Sequence, residues 1–474
     1  MQILLKSAPP IEIEAVVRTV PQQREVVRGF WNHQAVYAKK FTGSRAKIHF
    51  ERDVAGVQLL TKANIATPAL LFEGETDLAN GFVAIFAAIN ASQNAEEAYA
   101  QLASNARFEL MQNLVKTVAQ HHQANLIQTD LYFKNFLVET NSKQIYTLDG
   151  DGIRSLNTQF KTKQKRNNLA TLFSKMDVQD DAWISDLTEL YCAQTHMQFS
   201  AELAAEVWSR TQKIRAKVSS DYADKKVFRN CTDVKVAQDF RRFVAIARDF
   251  SAEEKILNTL DEFLVNPAHN IKNGNTCTIT KALVSDKKVV IKRYNIKSLA
   301  HGFSRALRKS RAAISWANAF RLNMASIATP KPLALVEERY GPLRGRAYFV
   351  SEYVEAPDIA EFFAQTAVTE IRQQVAFEVA RLFYRLYLLR ISHGDCKASN
   401  IKIKDGKPLL LDLDAMQANA WNFRQKHVKD LKRFMRNWQD NAELTALFKQ
   451  AFSITYDEID DPWMPSILMR ANIT

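Results

Sequence analysis

The sequence predicts an α+β chain folded twice over: two tandem domains, each with a small β-rich lobe followed by a larger helical lobe. Three observations carry this. At 474 residues the chain is too long for one ordinary core. Four features recur in the same order at nearly one offset. Within each half, strand-like runs around one helical run give way to mostly helical patterns.

The recurrence begins with a short string, Ile-Ala-Thr-Pro, at Ile65–Pro68 and again at Ile327–Pro330. Upstream of each lies an apolar strand-like run ending in a lysine, Val36-Tyr37-Ala38-Lys39 and Val289-Val290-Ile291-Lys292. Downstream of each an Asp precedes an Asn by five residues, Asp130 with Asn135 and Asp395 with Asn400. An apolar run then ends in Asp-x-Asp, at Asp149-Gly150-Asp151 and Asp412-Leu413-Asp414. The lysines, isoleucines, loop aspartates and strand-end aspartates are separated by 253, 262, 265 and 263 residues. A period this long indicates duplicated domains rather than a solenoid.

Helical patterns run from about Asn167 to Phe250, and a hairpin-like stretch starts near Ile271. There Lys272-Asn273-Gly274-Asn275 supplies turn chemistry before alternating residues Thr276 to Leu283 and a second strand to Lys292. The boundary is therefore expected near residue 245, giving domains 1–245 and 246–474.

An apolar fraction of 47% and a charged fraction of 24% are those of a soluble globular protein. No run approaches the roughly 18 apolar residues of a membrane span. The start, Met1-Gln2-Ile3-Leu4-Leu5-Lys6, lacks the basic-then-apolar pattern of a secretory signal. Cys192, Cys231, Cys277 and Cys396 have no metal-ligand spacing and read as reduced thiols, which predicts a cytoplasmic protein. Residues 1–235 carry 28 Lys+Arg against 25 Asp+Glu, and the remainder 36 against 26, so the net charge of +13 is concentrated in the second half. Such a surface favours anionic partners.

The repeated residues are the parts that phosphoryl transfer needs: a cation for the α/β phosphates, metal ligands, and a carboxylate beside the acceptor hydroxyl. In the second half, His393-Gly394-Asp395-Cys396-Lys397-Ala398-Ser399-Asn400 has the form of a kinase catalytic loop. Asp395 is expected to take the hydroxyl proton, Lys397 to steady the γ-phosphate, Asn400 and Asp412 to bind Mg²⁺, and Lys292 to hold ATP. In the first half Lys39 is the strand lysine, with Glu51 on the following helical run as its partner. Asp130 is the catalytic-loop aspartate, and Asn135 and Asp149 are the metal ligands. Singly, each residue is unremarkable, since a strand-end lysine is usually a solvated one. In order and at these spacings, they predict a protein-kinase-like fold in each half.

Both halves resemble the lipopolysaccharide-kinase family, which includes bacterial kinases for inner-core heptose and for Kdo. The carriers in the first half are Asp130-Leu131-Tyr132 before Asn135-Phe136-Leu137, and Arg229-Asn230-Cys231-Thr232. In the second half they are Lys292-Arg293-Tyr294-Asn295, Ser310-Arg311-Ala312 through Trp316, and Ile327–Pro330. The resemblance spans roughly residues 20–440. It implies an ATP- and Mg²⁺-dependent kinase of a lipopolysaccharide-core sugar in a Gram-negative bacterium, at the cytoplasmic face of the inner membrane. A lipid-linked core oligosaccharide would be the acceptor, with peripheral contact to the anionic membrane surface. Arg305, Arg308, Lys309, Arg311, Arg339, Arg344 and Arg346 are the basic residues expected to face that surface, unless they form an ordinary solvated face.

Each half also departs from the pattern. The first has Gln128 where the loop histidine belongs and Tyr132 where the second half has Lys397, although Lys134 is close by. His121 and His122, in the preceding helix, read as packing or surface residues. Alignment on the repeated string puts Ala313 opposite Glu51, so the second half lacks a helix carboxylate for Lys292, and Glu352 reads as a hinge residue instead. Neither half has a glycine-rich phosphate loop; Gly29 and Gly274 are lone glycines. A catalytically silent scaffold for core assembly is thus a competing reading, and a protein or small-molecule kinase is another. Nucleic-acid binding would explain the charge but not the repeated Asp, Asn and Asp.

Overall fold

The computed structural model describes residues 2–20, 23–157, 159–250, 257–267, 270–284, 286–295, 308–457 and 464–473. The chain divides into one unit of residues 1–176 and 180–214 and a second of residues 177–179 and 215–474.

The first unit opens with a six-stranded antiparallel sheet, in the spatial order Gln2–Ile3, Ile11–Val20, Arg24–Trp31, Gln34–Phe41, Phe82–Ala87 and Leu70–Glu75. Successive side chains of a strand face opposite ways, and here both faces are covered. Val36 and Ala38 pack outward with Val27, Val83 and Ile85. Phe41 packs the other way, with Ala84, Phe86 and the helix residues Val54 and Val57. Lys39 shares the parity of Phe41 and lies opposite Ala84 in the register, so its ammonium faces the helix Ala46–Lys62. The helical part follows, with Ser104–Gln123, Lys161–Phe173 and Ile184–Thr195 burying Leu114, Val118, Leu172, Phe173 and Leu187 around Phe133 and Phe136.

The second unit has a seven-stranded antiparallel sheet in the order Val234–Gln238, Arg242–Ala247, Pro332–Tyr340, Leu343–Glu352, Lys287–Tyr294, Cys277–Val284 and Asn270–Asn273. Read from the opposite edge, its last five strands repeat the order of the first unit's last five: Asn270–Asn273, Cys277–Val284, Lys287–Tyr294, Leu343–Glu352 and Pro332–Tyr340 stand where Ile11–Val20, Arg24–Trp31, Gln34–Phe41, Phe82–Ala87 and Leu70–Glu75 do. Val289 and Ile291 pack on one face, while Tyr294 packs on the other with Ala312, Ala313 and Trp316 of the helix Arg311–Met324. Trp316 is fully buried, and its indole donates to the Val227 carbonyl at 3.0 Å. Behind the sheet, Thr369–Leu388, Phe423–Met435 and Ala442–Asp457 enclose an aromatic core that includes Phe383, Phe434, Phe448 and Phe452.

The expected division at residue 245 moves to Ile214/Arg215. Residues 234–247 are strands rather than the end of a helical run, and Arg242–Ala247 pairs with Pro332–Tyr340, which ties both strands to the second sheet. The sequence obscures this because Phe243, Val244 and Ala245 are buried in succession and show no alternation.

Three buried histidines brace the helical parts. Nε2 of His121 lies 3.0 Å from the Thr147 hydroxyl, His122 bonds Tyr191 and Asn168, and His427 bonds Tyr456. Burial lowers their pKa values from 6.5 to about 3, about 4 and about 3. Below pH 6.5 the unfolded chain takes up protons that these neutral rings refuse, so stability is full above that pH and falls as pH drops toward 4. The slope is ~1.4 kcal/mol per pH unit for each histidine. Thermal unfolding at pH 5 should therefore begin well below its temperature at pH 7, and equal midpoints would show that the rings are charged in the fold.

Candidate active site

In the first unit Lys39 reaches back from its strand to Asp53, with Nζ 2.7 and 3.0 Å from the two carboxylate oxygens, and stands 3.5 Å from Asp149. This corrects the expected pairing with Glu51, which is exposed and lies 3.8 Å from Lys47. Helical spacing explains the difference. Asp53, Val57 and Leu60 fall on one inward stripe, whereas Glu51 sits on the solvent side. That stripe was the available signal for Asp53.

Two glycines let the helix come this close. A Cβ on Gly56 would lie 1.9 Å from the Gly150 carbonyl oxygen, and one on Gly150 would lie 2.0 Å from the Asp53 carbonyl oxygen. Helix and Asp-Gly-Asp turn are thus in backbone contact, and the Asp151 amide donates to Asp53 at 3.2 Å. Arg52, next on the helix, pairs with Asp151 at 2.9 Å. Asp149 itself has left-handed backbone angles, φ 66° and ψ 75°, a conformation that Asp tolerates better than most residues. Arg24, at the start of its strand, donates to Asp149 at 3.2 Å. Burial alone would raise the Asp149 carboxyl, but Lys39 and Arg24 hold it below the ordinary range.

The loop carrying Asp130 and Asn135 lies against this turn. Asn135 donates its amide to the Asp130 carbonyl at 2.7 Å, and its own carbonyl accepts from Leu148, the residue before Asp149. Gln128 donates to the Leu148 carbonyl at 2.8 Å. Burial, together with Asp149 nearby, raises the Asp130 carboxyl, against the pull of Lys134, Lys175 and Arg18. Lys134 and Lys175 lie 4.9 and 4.0 Å from the centre of the Tyr132 ring.

The second unit repeats the frame with other groups. His393 donates from Nε2 to the Leu411 carbonyl at 2.8 Å, the bond that Gln128 makes in the first unit. The buried Asp430 accepts from the amides of His393 and Gly394 and so fixes the loop backbone. Asn400 donates to the Asp395 carbonyl at 2.9 Å and to its carboxylate at 3.1 Å, and its carbonyl accepts from Leu411. Lys397 and Arg433 flank Asp395 at 3.6 and 3.5 Å. Asp412 again has left-handed angles, φ 58° and ψ 64°.

Lys292 lies 2.5 Å from Asp412 and 2.9 Å from Asp414, and Arg311 reaches Asp414 at 2.9 Å. Burial opposes the Lys292 charge, but the two carboxylates keep its pKa well above the usual lysine range. Asp414, whose burial alone would raise it, is lowered by Lys292 and Arg311. The structure thus brings together all the predicted groups except Glu51. It adds Asp53, Arg24 and Asp414, for which the sequence suggested no role, and Arg311, which was expected at an anionic surface and instead pairs with Asp414.

Much of the expected basic surface is already paired. Arg339 and Arg344 lie 2.5 and 3.5 Å from the buried Glu337, and Arg346 lies 2.5 Å from Asp261. Arg308 and Lys309 are exposed, and Arg305 lies outside the described residues. Among the described residues no helix is long and apolar enough to cross a membrane.

A lysine strand backed by a helix, an Asp–Asn loop and an aspartate at a strand end make a kinase-like site. The model of the lipopolysaccharide kinase (Kdo/WaaP) family matches residues 28–197 and again 261–456, more than half of the chain, and the chain belongs to that family. It is 30% identical over 139 residues to 3-deoxy-D-manno-octulosonic acid kinase of Mannheimia succiniciproducens, a stretch that covers 25% of this chain and 57% of that protein. It is also 29% identical over 157 residues to the RIO-type serine/threonine-protein kinase Rio1 of Haloferax volcanii, covering 31% and 48%. The chain thus spans about half the length of the curated relatives it matches.

The glycine contact gives a test with opposing terms. Replacing a mid-helix glycine by alanine ordinarily stabilises by about 1 kcal/mol. At Gly56 the new methyl would meet backbone at 1.9 Å, and forcing the helix away costs about 1–3 kcal/mol or more. Gly56→Ala should therefore lower the melting temperature, and a raised one would show that helix and turn are not in contact.

Proposed function

We propose that the chain is two kinase-like domains in tandem. On this reading it transfers the terminal phosphate of ATP, with Mg²⁺, to a sugar hydroxyl of the lipopolysaccharide inner core, at the cytoplasmic face of the inner membrane. The observation that carries it is the doubled cluster: a strand lysine, a loop aspartate with its amide-donating asparagine, and a left-handed aspartate, each in one connected hydrogen-bonded frame. The two separate matches to one family model support the tandem arrangement.

The donors suit Mg²⁺. Asn135 and Asn400 spend their amide nitrogens on the loop carbonyls, which turns each side-chain oxygen away from that bond. Backbone bonds to Leu148 and Leu411 set each asparagine beside Asp149 or Asp412. One amide and one carboxylate oxygen per site are a hard and sparse donor set, of the kind that leaves room for water and phosphate. Bound there, the ion would neutralise charge on the phosphates. Lys292 and Lys39 would grip the α/β phosphates, and Lys397 the γ-phosphate. Asp395 and Asp130 would orient the acceptor hydroxyl and take its proton; the raised carboxyl of Asp130 suits it as a base. An anionic glycan acceptor agrees with a second half carrying 36 Lys+Arg against 26 Asp+Glu in residues 236–474.

Phosphate transfer from ATP to a deacylated Kdo-containing core oligosaccharide, with a protein acceptor alongside, tests the reading. Asp395→Asn should lower kcat by roughly 10²–10⁴-fold with ATP affinity near normal. Asp130→Asn tests the first half in the same way, and an unchanged rate removes that half from catalysis. Transfer to protein alone would overturn the sugar acceptor. Magnesium removal by chelation should abolish both transfer and the thermal shift caused by ATP, and a shift that survives would put nucleotide binding on the cationic side chains alone.

A further inference from the structure

We propose that Asp414 is the residue that positions Lys292 for nucleotide, in the role that a helix carboxylate plays in the first half, and that the guanidinium of Arg311 compensates it from the helix. The inference rests on the nucleotide-binding reading of the second half and deepens it.

Register and spacing make the comparison residue by residue. Alignment on the repeated string puts Ser315 where Asp53 stands, and Arg311 where His49 stands. Ser315 cannot hold an ammonium. Its hydroxyl is buried and pairs with the Tyr294 hydroxyl at 3.0 Å. On the sheet, Arg24 lies opposite Phe41 and Cys277 opposite Tyr294, each facing the residue two beyond the lysine. The first half thus draws its carboxylate from the helix (Asp53) and its guanidinium from the strand (Arg24). The second half reverses the sources. Its guanidinium comes from the helix (Arg311), its carboxylate from the turn (Asp414), and its strand position is the buried Cys277.

The approach of helix to turn accounts for the exchange. Gly56 and Gly150 permit backbone contact in the first half. The corresponding residues are Asn318 and Leu413, and Asn318 instead spans the gap with its amide, donating to the carbonyls of Leu413 and Met416 at 3.0 and 3.1 Å. Asp151, the counterpart of Asp414, is turned to Arg52 and does not bond Lys39. Asp414 has a side chain only 5% exposed, and once Asp412 is given to the metal, Lys292, Arg311 and Asp414 would carry one net positive charge to face a polyphosphate. Asp412 would then be released to the metal while Asp414 keeps the lysine in place.

The test uses the full chain and an ATP acyl-phosphate probe, with labelling of Lys292 located by peptide mass spectrometry and competed by ATP, so that the second site is read alone. Asp414→Asn should weaken ATP competition at Lys292 by about tenfold or more. Adding Ser315→Asp, which returns a carboxylate to the helix, should recover most of that loss, and a merely structural aspartate would not be rescued from there. If Asp414→Asn alone does not fold, the double variant decides. Folding with ATP-competed labelling supports the inference, and failure of either overturns it. Affinity within twofold of the native chain in a folded Asp414→Asn overturns it too, leaving the kinase reading intact. A native chain whose Lys292 is never protected by ATP would remove both.

Discussion

Everything at the site depends on keeping an ammonium charged on the inner face of a sheet. An isolated buried cation is costly, and a lysine without a partner either loses its proton or turns to solvent. Lys39 and Lys292 are each met at 2.7–2.9 Å by a carboxylate that is itself almost fully buried, Asp53 or Asp414. The sheet sets which face the lysine occupies, and the helix and the strand-end turn bring the counter-charge. The left-handed backbone of Asp149 and Asp412 aims the next carboxylate at the same place, a local strain that the surrounding bonds hold.

The two units satisfy that constraint with the same frame and differently sourced charges. Five strands run in the same spatial order, the loop asparagine bonds the loop aspartate's carbonyl in both, and the residue before the strand-end aspartate is tied to that asparagine in both. Within this frame Gln128 makes the bond of His393, so the histidine missing from the first half costs it no hydrogen bond at that point. Asn168 and Asp430 likewise serve the two loops from equivalent helices, one donating to the Gln128 carbonyl and the other accepting backbone amides. Conservation of geometry with exchange of residue type is what packing against a fixed backbone allows.

Much of this was legible beforehand. The repeat, the α+β arrangement, and the residues Lys39, Asp130, Asn135, Asp149, Lys292, Asp395, Asn400 and Asp412 followed from local patterns and fixed spacings. Glu51 did not survive: two positions along a helix are a turn of about 200°, enough to carry a side chain from core to solvent. The boundary was misjudged because Val234–Gln238 is mostly exposed and Phe243, Val244 and Ala245 are buried in succession, so neither a helix period nor a strand period marks these two strands.

By itself, then, the sequence determined the residues that must meet and the order in which the chain delivers them, since periodicity and spacing are local properties of the backbone. Only the tertiary structure decided which carboxylate each lysine takes. That choice turns on how closely a helix approaches a turn, through Gly56 against Gly150 in one unit and Asn318 across to Leu413 in the other. A separation of that kind is set by packing between segments far apart in the chain, and no local pattern records it.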